Sequence, residues 1–229
     1  MRKINKTLVL FAVIVIMAIP AYAVGNVINL TPAGLGLTEG NLGTSFLVDN
    51  IIIGARTSMN SDSYGSEGTT GTVYLSPQGL GVQTLSMSGS DGISGKGEDQ
   101  DEALIFNFSA NIGVSSLKLG LNQYRSNKDN PVLTLSLNGL QNNLVFTKES
   151  TNWAGAVTST GNNSIEIDFG TLLGSNYTNM TVASLSVMET SDHTYVNKIS
   201  YGAQVVPEPA TVGLLAIGML IFLVGERKK

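Results

Sequence analysis

The sequence predicts an all-β protein, an antiparallel two-sheet sandwich of jelly-roll type. Three observations predict it. Between Val24 and Val206 the apolar residues come in short runs at a spacing of roughly 10–15 residues, bounded by Gly, Ser, Thr, Asn and Pro. In the clearest runs apolar and polar residues alternate, which is the period of a strand with one packed and one wet face. No stretch in this part carries the 3.6-residue apolar stripe of an amphipathic helix. A β-helix is the competing architecture, but no fixed repeat period runs through the chain.

The elements follow in order. Residues 24–30 read as a first strand, turned by Thr31-Pro32-Ala33-Gly34. Residues 46–48 and 51–53 flank Asp49-Asn50, which reads as a tight turn or a bulge. Residues 60–70 form a polar loop. Residues 72–75 make a short strand ended by Ser76-Pro77, and residues 80–87 another. The 88–100 segment is glycine-rich. Residues 103–108 follow as the best strand, with Leu104, Phe106 and Phe108 on one face and Ile105 on the other. Residues 115–121 place Leu117, Leu119 and Leu121 inward and Lys118 outward. Residues 132–137 repeat the pattern with Leu133, Leu135 and Leu137. Asn138-Gly139 is a hairpin signal whose partner strand begins near Leu144. Residues 165–169, 182–187 and 196–201 complete about ten strands.

The chain has 229 residues and no cysteine. No disulfide can therefore staple the fold, and thiol nucleophiles and cysteine-ligated metals are excluded. Between residues 24 and 206 stand seven cations against 15 carboxylates, a balance of −8. With no basic stripe, nucleic acid is excluded as an expected partner.

The two ends carry opposite addresses. Arg2, Lys3 and Lys6 precede an apolar run over residues 8–19; Pro20 breaks it, and Ala21-Tyr22-Ala23 is an A-x-A cleavage site. Residues 1–23 thus read as a helical signal peptide cut after Ala23. At the other end Val206-Pro207-Glu208-Pro209 cannot continue a strand or a helix interior, because each proline fixes φ and removes a donor. Residues 210–224 then run for 15 positions without a charge, ahead of Gly225-Glu226-Arg227-Lys228-Lys229. At about 1.5 Å per residue this helix spans roughly 22 Å, short of the ~30 Å hydrocarbon core. The basic end makes it a membrane span, since long cationic side chains snorkel to cover the mismatch. The expected organisation is a signal peptide (1–23), an exported sandwich (24–202), a linker with Pro-Glu-Pro (203–209), a transmembrane helix (210–225) and a cytoplasmic basic tail (226–229).

This order of Pro-Glu-Pro, apolar helix and basic end resembles the PEP-CTERM sorting signal, over about a tenth of the chain. The resemblance implies an exported, non-enzymatic protein of a Gram-negative, exopolysaccharide-producing bacterium. Its tail would be recognised and processed by the membrane protease-transpeptidase exosortase through Val206, Pro207, Glu208, Pro209, Arg227, Lys228 and Lys229. The inner membrane would be a partner before processing, and the exopolysaccharide matrix afterwards. The glycine-acidic segment before Ala103 and the closing run from His193 to Gly202 are also similar to those of such proteins.

Other candidate chemistry is sparse. Glu98, Asp99, Asp101 and Glu102 follow the glycine-rich segment and offer the hard oxygens that calcium takes from a pliable loop. The same residues read equally as a solvated strand edge that blocks sheet association. Calcium is the one cofactor this leaves open, and a calcium-assisted carbohydrate-binding module held at the surface is the alternative function. His193, the one histidine, follows Asp192 and reads as a surface-loop residue; no G-x-S-x-G nucleophile turn is present, and zinc lacks ligands. Glu166 and Asp168 share a strand face, as a glycosidase pair or as a solvent-facing row. Trp153, the lone tryptophan, reads as a plug for the end of the sandwich or a platform for a sugar ring. Asn176-Tyr177-Thr178 and Asn179-Met180-Thr181 are sequons.

Overall fold

A computed structural model describes residues 25–59, 69–83, 93–94, 101–124, 129–161, 163–189 and 193–202. Residues Val24–Ala203 group into one compact unit. The signal peptide, the Pro-Glu-Pro motif and the apolar tail lie outside the described residues. Among the described residues no helix is long and apolar enough to cross a membrane.

The described residues form sixteen strands and a few short helical turns. In chain order they are β1 (Asn26–Asn29), α1 (Pro32–Leu35), β2 (Gly40–Gly43), β3 (Ser45–Val48), β4 (Ile51–Met59), β5 (Thr69–Thr70), β6 (Thr72–Ser76), β7 (Gly79–Gln83) and β8 (Ile93–Ser94). Then come β9 (Asp101–Gly113), β10 (Lys118–Asn122), β11 (Pro131–Leu137), β12 (Leu144–Phe146), α2 (Trp153–Ala156), β13 (Val157–Gly161), β14 (Ser164–Asp168), α3 (Phe169–Leu173), β15 (Thr181–Glu189) and β16 (His193–Tyr201). A 3₁₀ turn, Val114–Ser116, leads into β10.

The strands make two antiparallel sheets. The first runs β13-β14-β10-β16-β7-β6-β2, with β1 and β8 also paired to β16. The second runs β12-β11-β15-β9-β4-β3, with β5 also paired to β4. The alternation that predicts a sandwich is what fills the space between them. Leu119, Leu121, Ile167 and Ile199 belong to the first sheet, and Ile53, Leu104, Phe106, Leu133 and Leu185 to the second; all are fully buried in one core cluster. Burial of this kind contributes roughly 25 cal/mol per Å² of apolar surface, and it is the main stabilising force open to a cysteine-free chain.

The turns follow their sequences. Val48 pairs with Ile51, so Asp49-Asn50 is a two-residue hairpin turn, with Asp49 at φ 52°. Ser76 pairs with Gly79 across Pro77-Gln78 in the same way. Gly139, at φ 88°, follows β11, and Leu144 returns opposite Leu135.

The structure also corrects several expectations. Residues 31–34 are not a plain turn. Thr31 caps α1, its hydroxyl accepting from the Gly34 N–H at 3.2 Å, and Pro32 suits a first helical position. Phe169 does not end a strand. Asp168 accepts from the Thr171 N–H at 3.0 Å and turns the chain into α3. Four strands (β2, β5, β8 and β13) have no counterpart in the sequence reading. The outer face of the second sheet is not wholly wet either: Ala103, Val132 and Met188 form a separate buried cluster there.

Gly79 shows how close the first sheet packs. It sits at φ 136°, and a Cβ built on it would lie 2.6 Å from the Val196 carbonyl oxygen. This approach lets β7 join β16 at the Leu80–Val196 pair. Gly79→Ala is expected to cost about 1–3 kcal/mol from backbone strain alone, with a further loss from the clash. A drop in the urea midpoint measures it; an unchanged midpoint would mean that β7 is not held this tightly.

Candidate functional site

The residues that begin and end the sandwich meet at one corner. β1 lies antiparallel to β16, with Asn26 opposite Tyr201. Tyr201 belongs to the first sheet, but its phenol donates to Asp49 Oδ2 in the β3–β4 turn of the second. Asn26 Nδ2 donates to the same oxygen at 3.2 Å, and Asn50 Nδ2 to Asp49 Oδ1 at 3.4 Å. The Asn50 carbonyl in turn accepts from the Ser109 N–H at 2.9 Å and the Ser109 hydroxyl at 2.8 Å. Both sheets are therefore tied at this end by a polar clasp centred on one carboxylate.

Gly202, the residue that leads toward the tail, is held just beyond. Its N–H donates to Ser116 Oγ at 2.8 Å, and its carbonyl accepts from the Gly113 N–H at 3.2 Å. The Ser116 hydroxyl lies 3.0 Å from the Gly202 carbonyl oxygen and 2.8 Å from that of Gly113. The 3₁₀ turn that the alternation of residues 115–121 concealed is what presents Ser116 to this site. Chemically the corner fixes a chain exit; it holds no nucleophile–base arrangement.

Tyr201 is only 3% exposed. Burial, and then its hydrogen bond to the Asp49 carboxylate and the charge beside it, push its phenol up to about 12. The ordinary value is about 10. The neutral phenol is thus favoured by folding, and its contribution is complete below about pH 10. Between about pH 10 and 12 the unfolded chain releases this proton while the folded chain keeps it, so stability falls as pH rises.

Glu98 and Asp99 lie outside the described residues, whereas Asp101 and Glu102 begin β9 instead of continuing a loop. The solvated-edge reading fails for Glu102. β9 pairs with both β15 and β4, and Glu102 is 2% exposed, because its register places it on the Leu104 face. Among the described residues no group of three or more acidic or histidine side chains gathers to hold a metal ion.

His193 is in β16, opposite Ser94, and not in a loop; Asp192 lies outside the described residues. Glu166 and Asp168 share the outer face of β14 and are taken up by lysines. Lys118 Nζ stands 3.0 Å from Asp168 and 3.8 Å from Glu166, and Lys198 Nζ pairs with Glu166. Gly120 lies between Lys198 and Glu166 in the register, and its missing side chain lets the lysine reach across β10. The bond to Asp168 raises the Lys118 ammonium. Burial pushes the Asp168 carboxyl up, but the Thr171 N–H, Lys118 and the Gly170 N–H together hold it below the usual range. Trp153 is buried at the head of α2 within the main core, so it is a plug and no sugar platform. Asn176 and Asn179 are exposed around a 3₁₀ turn, Ser175–Tyr177.

No known family model matches the chain, and no curated protein matches it.

Tyr201→Phe removes the donor from the clasp and is expected to cost about 1–2 kcal/mol at neutral pH. It should also remove this side chain's part of the fall in stability between about pH 10 and 12. Urea unfolding of both proteins across that range reads both effects; parallel pH profiles would place the alkaline sensitivity elsewhere.

Proposed function

We propose that this chain is a non-enzymatic exported protein of a bacterial envelope, a sandwich of jelly-roll type carried between a cleaved signal peptide and a PEP-CTERM tail. The tail is recognised and processed by exosortase, and the mature domain joins the cell surface or its exopolysaccharide matrix. The observation that carries this reading is the tail itself: Val206-Pro207-Glu208-Pro209, an uncharged run to Val224 and the basic end Arg227-Lys228-Lys229. The apolar run and its basic flank make a transmembrane helix barely long enough to span. A stiff proline rod before it is an extended segment that a membrane enzyme can read.

The corner supports the same reading. Asn26 is paired with Tyr201, so the described part of the sandwich begins and ends on neighbouring strands. A chain addressed to a membrane at both ends is consistent with neighbouring first and last strands. Replacing Pro207, Glu208 and Pro209 with alanine is expected to leave the tail uncut and the protein in the membrane fraction. The mature C-terminus is read by mass spectrometry; the same C-terminus and the same release in the variant would sink the sorting role.

The second reading, a calcium-assisted carbohydrate-binding module, assigns a calcium ion to the 98–102 segment. It predicts a melting temperature that rises in millimolar calcium and returns in chelator. A melting temperature indifferent to both would remove calcium from the account.

A further inference from the structure

A second site lies on the outer face of the second sheet. In β4, Ile51, Ile53, Ala55 and Thr57 are buried, which turns Ile52, Gly54 and Arg56 outward. In β9, Leu104 and Phe106 are buried, which turns Ile105 and Asn107 outward. Gly54 is opposite Ile105 in the register, and Ser186 and Ser184 of β15 continue the face. Along its other side β4 changes partner, pairing with β3 up to Gly54 and with β5 at Arg56 and Thr57. Thr44 and Thr70 stand on either side of that change.

The result is a depression of about 470 Å³ lined by Thr44, Gly54, Arg56, Thr70, Ile105, Asn107 and Ser184. That volume is in the range of small-molecule sites. Its floor is kept open by Gly54, where a Cβ would meet one atom, the Thr44 carbonyl oxygen, at an ordinary 3.8 Å.

Its charge is the informative feature. Arg56 is the one charged residue in the lining, in a domain whose balance is −8. Lys118 and Lys198, by contrast, are bound by Glu166 and Asp168. The Arg56 guanidinium donates to Thr70 Oγ1 at 2.9 Å, which orients it and leaves other N–H donors of the fork directed elsewhere. A planar fork of this kind matches a carboxylate in two parallel hydrogen bonds. The remaining polar groups are hydroxyls and an amide, which both donate and accept, as the hydroxyls of a sugar do. Ile105 offers an apolar patch for the C–H face of a ring.

We propose that this depression binds a carboxylate-bearing sugar residue of an acidic polysaccharide, with Arg56 on the carboxylate and Thr44, Thr70, Asn107 and Ser184 on the ring hydroxyls. No calcium takes part. The export reading determines where the chain meets such a polymer, but the binding does not depend on it.

The test uses the full-length chain in a detergent without a sugar headgroup, with chelator present, and titrates trigalacturonate by calorimetry. Saturable binding is expected, with no binding of the neutral maltotriose. Arg56→Gln should weaken it by about tenfold or more, the loss of a charge-assisted pair. Gly54→Val fills the floor on a strand position that suits a β-branched residue, and should abolish binding at an unchanged melting temperature. Galacturonic acid alone should bind more weakly than the trimer. The proposal is overturned by absent or non-saturable binding, or by affinity unchanged in both variants. Hexaglutamate bound as tightly as the trimer would reduce the site to a plain anion patch, and equal affinity for the monomer would remove the polymer. The mass-spectrometric readout of the tail is independent of each of these results.

Discussion

The first sheet depends on β16, the strand that joins its two halves. It takes β10 along one side and β1, β7 and β8 in succession along the other. Through Val196, Ile199 and Tyr201 it also contributes three buried side chains to the core. Yet it is the last strand of the domain, and its pairing with β1 joins residues 26 and 201. Closing so long a loop costs conformational entropy before any contact repays it, and such non-local pairing folds slowly. A chain that emerges from its N-terminus cannot complete this sheet until β16 has followed. The strand that finishes the fold immediately precedes the segment read as a sorting signal, so on the proposed function completion of the sandwich and arrival of the tail are nearly one event.

The alternating runs were legible because their period is physical. Leu117, Leu119 and Leu121, and Leu133, Leu135 and Leu137, are buried as a period of two requires. Asn138-Gly139 and Asp49-Asn50 turn where their backbone preferences place turns. What escaped has equally physical reasons. β2 is Gly-Asn-Leu-Gly, a turn composition, and is made a strand by its partner β6. β13 is Val-Thr-Ser-Thr-Gly, an edge strand with little to bury, so it leaves no apolar signal. Glu102 looks like surface in the sequence and is interior in the fold, because β9 is a 13-residue strand paired on both sides. Composition cannot report which side of a strand has a neighbour.

The two proposed functional regions differ in the same way. The tail is contiguous, and its stiff, apolar and basic parts can be read in order. The depression is assembled from Thr44, Arg56, Thr70, Asn107 and Ser184, which belong to separate runs and meet through the register of β4, β9 and β15. Arg56 in particular gives no local signal: it is a lone cation between Ala55 and Thr57, and its neighbours across the sheet make its setting. A similar dependence on register governs the lysines. Lys198 reaches Glu166 because Gly120, from a strand far earlier in the sequence, stands between them in the register.

The geometry relates the two regions. The clasp at Asp49 and the depression at Gly54 lie on one hairpin, β3–β4, five residues apart, or about 17 Å along the strand. The proposed binding face thus lies along this hairpin from the corner at which Gly202 is held. If the tail anchors the domain, the residues from Ala203 to Val205 can extend by only about 10 Å before the proline rod begins. So short a tether would limit how freely the domain meets a long polymer while the anchor persists. Removing the tail would lift that restriction without altering the clasp or the Gly202 contacts, which all lie within the sandwich. Under this reading the processing step acts on access to the proposed binding face, and the polar corner holds the last strand in place when the membrane attachment is lost.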